Sequence, residues 1–158
     1  MEQNKTFEEF ANEEERIHKI FFLPWYQKKD IKVLEDNVGK NSVYDTKVIW
    51  NGKIITIDEK ASERDYFCAE LIQDIETGNL GHIYHPKDYY LYTIWGNRQT
   101  NEKPLAIYWV KAQNLLYFIS QFSAQVYKNE NGWGKTLFIP IAWERLLNDG
   151  YAFQDKIL

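Results

Sequence analysis

The chain has 158 residues, a formal net charge of −4 and one cysteine. That length predicts a single domain, residues 1–158, able to bury a real core. The lone cysteine excludes an internal disulfide, and the acidic balance argues against a broad electrostatic grip on nucleic acid, since phosphate contacts need clustered Lys and Arg. No apolar run approaches a membrane span and the N-terminus lacks signal-peptide architecture, so a cytoplasmic protein with no membrane partner is expected.

The first predicted element is a helix from Thr6 to Phe22, with Thr6 as N-cap and Glu9 completing a capping box. At about 100° per residue, Phe7, Phe10, Ala11, Ile17, His18 and Phe21 form one largely apolar stripe. Glu14 falls near the centre of that stripe, with Glu13 and Glu15 off it or at its edge. A carboxylate there is costly unless it is paired or bound to a cation. Either Glu14 finds a lysine or metal, or the helix is less buried than its pattern suggests.

Residues 23–42 read as a connection with a short strand at Ile31–Leu34. Lysines at 28, 29, 32, 40, 47, 53 and 60 make the following region locally basic, whereas residues 2–15 are strongly acidic.

Tyr44 to Ala61 predicts a hairpin: two β-branched runs flank Asn51-Gly52, a pair suited to a two-residue turn with positive φ at both positions. Counting outward pairs Trp50 with Lys53, Val48 with Ile55, Lys47 with Thr56 and Asp45 with Asp58. Two carboxylates then oppose each other about 5 Å apart at Cβ. Lys60, two residues past Asp58, shares their face. Such a set can hold a divalent metal and position a water. It reads equally as an ordinary solvated face, relieved by diagonal pairs Asp45–Lys60 and Lys47–Asp58.

A helix is predicted over Arg64 to Thr77, with Ser62 as cap and Cys68 a core residue on its apolar side. Gly78 to Lys87 reads as a turn-rich link whose His82 and His85 are not expected to bind metal. Strands follow at Tyr89–Trp95 and Pro104–Lys111, then a helix over Ala112–Tyr127, a turn at Asn129–Lys135, a buried strand at Thr136–Ile141 and a short helix at Trp143–Asn148 with Gly150 as C-cap. Strands alternating with helices suggest one sheet covered on both sides. No phosphate-binding glycine loop, zinc spacing or nucleophile elbow is present.

A helix with an inward glutamate (Glu14), an acidic residue early in one strand (Asp45) and a hydrophobic strand ending in D-x-K (Asp58-Glu59-Lys60) resemble the PD-(D/E)xK nuclease superfamily. The order helix, strands, helix, strand covers about residues 6–96; the chain departs from the pattern in having no proline before Asp45. The resemblance implies a three-layer α/β/α sandwich with a central mixed sheet, a restriction-endonuclease-like core. It implies metal-dependent hydrolysis of phosphodiester bonds, with DNA favoured over RNA as substrate. Asp45, Asp58 and the Glu59 backbone carbonyl would hold Mg²⁺ or Mn²⁺, Lys60 would orient the water or stabilise the phosphorus, and Glu14 would assist. The alternative is a non-catalytic α/β interaction module using exposed aromatics such as Tyr89, Tyr90, Tyr92 and Trp109.

Overall fold

The computed structural model describes residues 6–40, 42–121, 126–131 and 134–158. It is a mixed α/β fold built on a six-stranded mixed sheet with a second, four-stranded sheet beside it.

The N-terminal helix α1 (Phe7–Ile17) starts on the capping box: Glu9 N–H donates to Thr6 Oγ1 (3.2 Å) and Thr6 N–H to Glu9 Oε2 (2.8 Å). The helix does not stop at Phe22. A π-helical turn, His18–Phe22, leads straight into α2 (Leu23–Lys28), so the connection expected from residue 23 begins later, near Lys29. Pro24 lacks an N–H, and the preceding residue Leu23 donates five residues back to His18 O; the widened turn lets the helix absorb the proline. The extension buries Trp25 and Tyr26.

Three antiparallel strands follow: β1 (Lys32–Asp36), β2 (Thr46–Trp50) and β3 (Lys53–Ser62). The β2–β3 register runs Trp50↔Lys53, Val48↔Ile55 and Thr46↔Ile57 around a two-residue Asn51-Gly52 turn, with φ of 49° and 75°, as the hairpin signal requires.

The expected helix at 64–77 is instead a strand, β4 (Phe67–Asp74), continued by the short β5 (Asn79–Leu80). Its composition suits a helix, but Phe67 and Ala69 are fully buried at alternate positions and pair with Ile141 and Ile139. Tertiary pairing overrides local propensity here. A 3₁₀ turn (His82–Tyr84) then leads to β6 (Tyr89–Ile94), which runs parallel to β3, and to β7 (Ala106–Lys111), antiparallel to β6.

The helix expected at 112–127 is shorter: α3 spans Leu115–Ser120, Tyr127 already belongs to a strand, and residues 122–125 lie outside the described residues. The turn expected at 129–135 is largely strand: β8 (Tyr127–Asn131) pairs with β9 (Gly134–Ile141), and residues 132 and 133 lie outside the described set. Helix α4 (Trp143–Asn148) matches its expectation, and β10 (Ala152–Asp155) completes the large sheet.

The sheet orders are β1-β2-β3-β6-β7-β10 and β5-β4-β9-β8. Side-chain alternation splits the core. Ile55, Ile57, Leu91 and Trp109 meet Ile17, Phe21, Trp25 and Tyr26 of the helical segment, while Tyr90, Tyr92, Tyr108 and Val110 meet Phe67, Ile139, Trp143 and Leu146. The layer opposite α1 is thus mainly the second sheet, joined by α3 and α4.

Two glycines should respond differently to alanine. Gly52 has positive φ with open space where a Cβ would go, so Gly52→Ala should cost about 1 kcal/mol of backbone strain. A Cβ on Gly81 would collide with the Glu70 carbonyl on β4, so Gly81→Ala should cost about 2 kcal/mol or more. Urea midpoints of the two variants test the ranking; equal losses would contradict the close packing of the Gly81 turn on β4.

Candidate functional site

Strand β3 outruns β2. Their ladder ends at Thr46↔Ile57, whereas β3 stays paired with β6 as far as Ser62↔Ile94. Residues 58–62 therefore have one edge open to other groups. Asp45, the residue before β2, sits at that edge: its N–H donates to Ile57 O (2.9 Å) and its Oδ2 accepts the Glu59 N–H (2.7 Å). Asp45 is close enough to Asp58 for their charges to interact, but the regular ladder has stopped, and its hydrogen bond is to Glu59 rather than to a cross-strand partner. The N–H and carbonyl of one strand residue face the same side, so the Glu59 carbonyl also faces the open edge. Among the described residues it has no hydrogen-bond partner. The next carbonyl on that edge, Ala61 O, accepts Arg98 Nη1 at 2.9 Å.

Alternation sends Asp58 and Lys60 toward the second sheet and Glu59 toward the helices. Asp58 is buried and clasped by two lysines, Lys60 Nζ at 3.1 Å from Oδ1 and Lys87 Nζ at 2.9 Å from Oδ2. Burial opposes its charge, but the two ammonium groups win and hold its carboxyl well below the usual range. Lys60 is raised well above its ordinary value: burial opposes its charge and is outweighed by Asp58, Glu14 and Asp45.

Among the described residues Asp45 has no such direct cationic contact. Burial, then the Asp58 charge, push its carboxyl up to about 8 against the pull of Lys60. Glu14 lines a pocket with Asp45, Glu59, Val38 and Ala61. Glu14 is exposed, not core-facing as its stripe position implied; its carboxyl end is crowded, and that crowding raises its pKa, with Lys60 opposing and Asp58 adding.

The four side chains singled out in the sequence, Glu14, Asp45, Asp58 and Lys60, thus belong to one charge cluster, with the Glu59 carbonyl at its edge. The solvated-face reading of the hairpin does not apply at Asp58, which is 6% exposed; it applies near the turn, where Ile54 is 64% exposed. Among the described residues no group of three or more His, Cys, Asp or Glu side chains is placed to hold a metal ion, so a metal here would need the backbone carbonyl as a donor.

Several participants were not legible in the sequence. Glu13, placed off the inward stripe, is the more buried glutamate and meets Arg98 Nε at 3.0 Å. His18 donates toward Glu59 Oε2 (2.7 Å) and Asp36 Oδ2 (2.9 Å). Glu59 also accepts the Tyr26 hydroxyl (2.7 Å) and that of Thr46 (3.3 Å). His82 sits in the link as expected, hydrogen-bonded to Cys68 O (2.9 Å) and Tyr90 OH (3.1 Å); burial first, then Lys60, keep it neutral. Cys68 is half-buried on a strand rather than a helix, and burial pushes its thiol up to about 12, which suits a structural residue.

The aromatics invoked for an interaction surface are internal. Tyr90, Tyr92 and Trp109 are buried in the two core clusters, and Tyr89 is half-buried against Trp50 and Trp109. They fill the core because strands β6 and β7 lie in the middle of the sheet, covered on both faces.

The His18 clasp makes stability depend on pH. Burial disfavours its charge, but the hydrogen bonds and charges of Glu59 and Asp36 outweigh this and raise it from 6.5 to about 9. Because the folded value lies above the unfolded one, the stabilisation is fully present below pH 6.5 and is lost as pH rises through about 9. It amounts to at most about 3 kcal/mol. Asp45, raised from 3.8 to about 8, tilts stability the same way at lower pH. Urea melts from pH 5 to 10 should show the decline in wild type; His18→Gln should flatten it between roughly 6.5 and 9, and Asp45→Asn between roughly 4 and 8. An unchanged slope in His18→Gln would contradict a charged His18.

Comparison with protein-family models, curated proteins and solved structures finds no match to the chain.

Proposed function

We propose that the chain is a metal-dependent nuclease on a restriction-endonuclease-like core, hydrolysing phosphodiester bonds, with DNA favoured over RNA. The supporting order is helix α1, the antiparallel strands β1–β3, a crossover and the parallel strand β6. The crossover runs through β4 and β5 instead of a helix, so the α/β/α layering is replaced on one side by a sheet.

The observation that carries the reading is the open edge of β3, where a Glu59 carbonyl without a hydrogen-bond partner among the described residues lies beside Asp45, with Asp58 and Lys60 on the flanking residues. These are hard oxygen donors, and the raised Asp45 carboxyl marks an excess of negative charge that a cation would relieve. Asp45 and the Glu59 carbonyl present oxygens that would take Mg²⁺ or Mn²⁺, and Asp58 would join them by releasing the Lys60 ammonium from its Oδ1. Such an ion, when bound, polarises a phosphate and lowers the pKa of a water. The chain's own groups do the rest. Lys60 presents an ammonium to the reacting phosphate or its attacking water, stabilising charge that develops there. Glu14, facing the same pocket from α1, would assist from the helix as a further carboxylate beside Asp45; crowding and the Asp58 charge raise its pKa against the pull of Lys60.

The test is cleavage of linear, plasmid and branched DNA, and of RNA, with Mg²⁺ or with EDTA. Lys60→Ala should reduce cleavage by about 10²-fold or more while leaving the Mg²⁺-induced rise in Tm nearly intact. Asp58→Asn should abolish that rise. Cleavage that persists unchanged in Lys60→Ala, or an equal metal response in wild type and Asp58→Asn, would overturn the reading.

A further inference from the structure

Lys87 is the unused charge of the cluster. Its side chain has 0% exposure. Its ammonium lies 2.9 Å from Asp58 Oδ2, 2.6 Å from the His82 carbonyl and 3.4 Å from the Tyr90 hydroxyl, and stands 4.6 Å from the centre of the Tyr90 ring. An ammonium has three N–H donors, and these three acceptors use them all. The backbone that carries it is pinned on the next residue: Asp88 accepts from Thr56 N–H (2.8 Å) and its own N–H donates to Thr56 O (3.1 Å). Lys87 therefore cannot turn toward a ligand without breaking a buried arrangement.

Lys60 is built the other way. Its side chain is 27% exposed, and its one ion-pair partner among the described residues is Asp58 Oδ1 at 3.1 Å. Two of its donors remain for another acceptor. A single carboxylate is thus shared between a saturated lysine and an open one.

We infer that Lys87 is a positioning residue: by holding Asp58 Oδ2 from inside the protein, it leaves the Lys60 ammonium able to offer donors to a bound anion, such as a phosphate diester. The inference deepens the nuclease reading and rests on it for the identity of the anion, but not for the division of labour between the lysines. Without Lys87, Asp58 would have Lys60 as its one remaining ion-pair partner among the described residues, and a buried carboxylate draws such a partner in tightly.

Lysine-resolved reductive methylation of the folded protein, read by mass spectrometry, tests this without any activity. In wild type, Lys60 should label and Lys87 should resist until the protein unfolds. In Lys87→Met, Lys60 labelling should slow by about two- to fivefold, the range expected when one ion pair tightens; Lys87→Arg, or Asp58→Asn added to Lys87→Met, should restore it. In the Mg²⁺ cleavage assay Lys87→Met should lower kcat by about tenfold or more with KM for an oligonucleotide within about threefold, and Lys87→Arg should recover most of the loss. Wild-type Lys87 labelling as fast as the exposed Lys53, or Lys60 labelling unchanged in Lys87→Met, would overturn the inference. Should Lys87→Met fail to fold, the wild-type labelling contrast and the Lys87→Arg variant decide it. Wild-type protein that labels as expected yet cleaves nothing would remove the nuclease reading and leave the lysine arrangement standing.

Discussion

Three consecutive ionisable residues, Asp58, Glu59 and Lys60, are carried by β3 into the interior, and each demands a partner. A buried charge without one costs several kcal/mol, so neighbouring elements are committed to supplying them. The helical layer gives His18 and Tyr26 to Glu59. The link before β6 gives Lys87 to Asp58. The start of β2 gives Asp45 to the Glu59 backbone. The His18 ring also reaches Asp36, so the π-helical turn ties α1, β3 and the end of β1 together. The placement of the helix, the edge strand and the link can all be read as consequences of those three side chains.

Replacing a buried ion pair by apolar groups of similar volume is often neutral or stabilising, so stability alone does not explain why a strand centre would carry D-E-K. What the arrangement supplies is geometry. Asp58 is fixed at both oxygens, Glu59 is bonded at both oxygens, and the remaining oxygens at the open edge belong to Asp45, Glu14 and the Glu59 carbonyl. The compensated charges lie deep and the uncompensated ones lie at the pocket. This graded neutralisation is what a cation-dependent site on this edge would need, and it is the physical basis of the proposed nuclease chemistry.

The sheet itself contributes through a mismatch of strand lengths. Because β2 is short and β3 long, the backbone of residues 58–62 is paired on one side only. Elsewhere such an edge invites another strand. Here Asp45 and Arg98 occupy two of its polar groups, and the Glu59 carbonyl between them is left open by the described residues.

Local chemistry made part of this legible in advance. Thr6 and Glu9 announced the first helix because a capping box is satisfied within four residues. Asn51-Gly52 announced the turn and its register because positive φ at two successive positions leaves few alternatives, and from that register came the proximity of Asp45, Asp58 and Lys60. Helical periodicity placed Glu14 on the core-facing stripe, yet Glu14 is exposed at the mouth of the Asp45 pocket and its neighbour Glu13 is the buried glutamate. What tertiary structure alone decided was whatever depends on distant partners. Phe67 to Asp74 became a strand because β9 offered an antiparallel ladder, against a composition that favours helix. Glu13 was buried because Arg98 came to meet it. Lys87 and His18 entered the site from 29 and 41 residues away from their partners, and no pattern of neighbours in the chain encodes which buried charge such a residue will find.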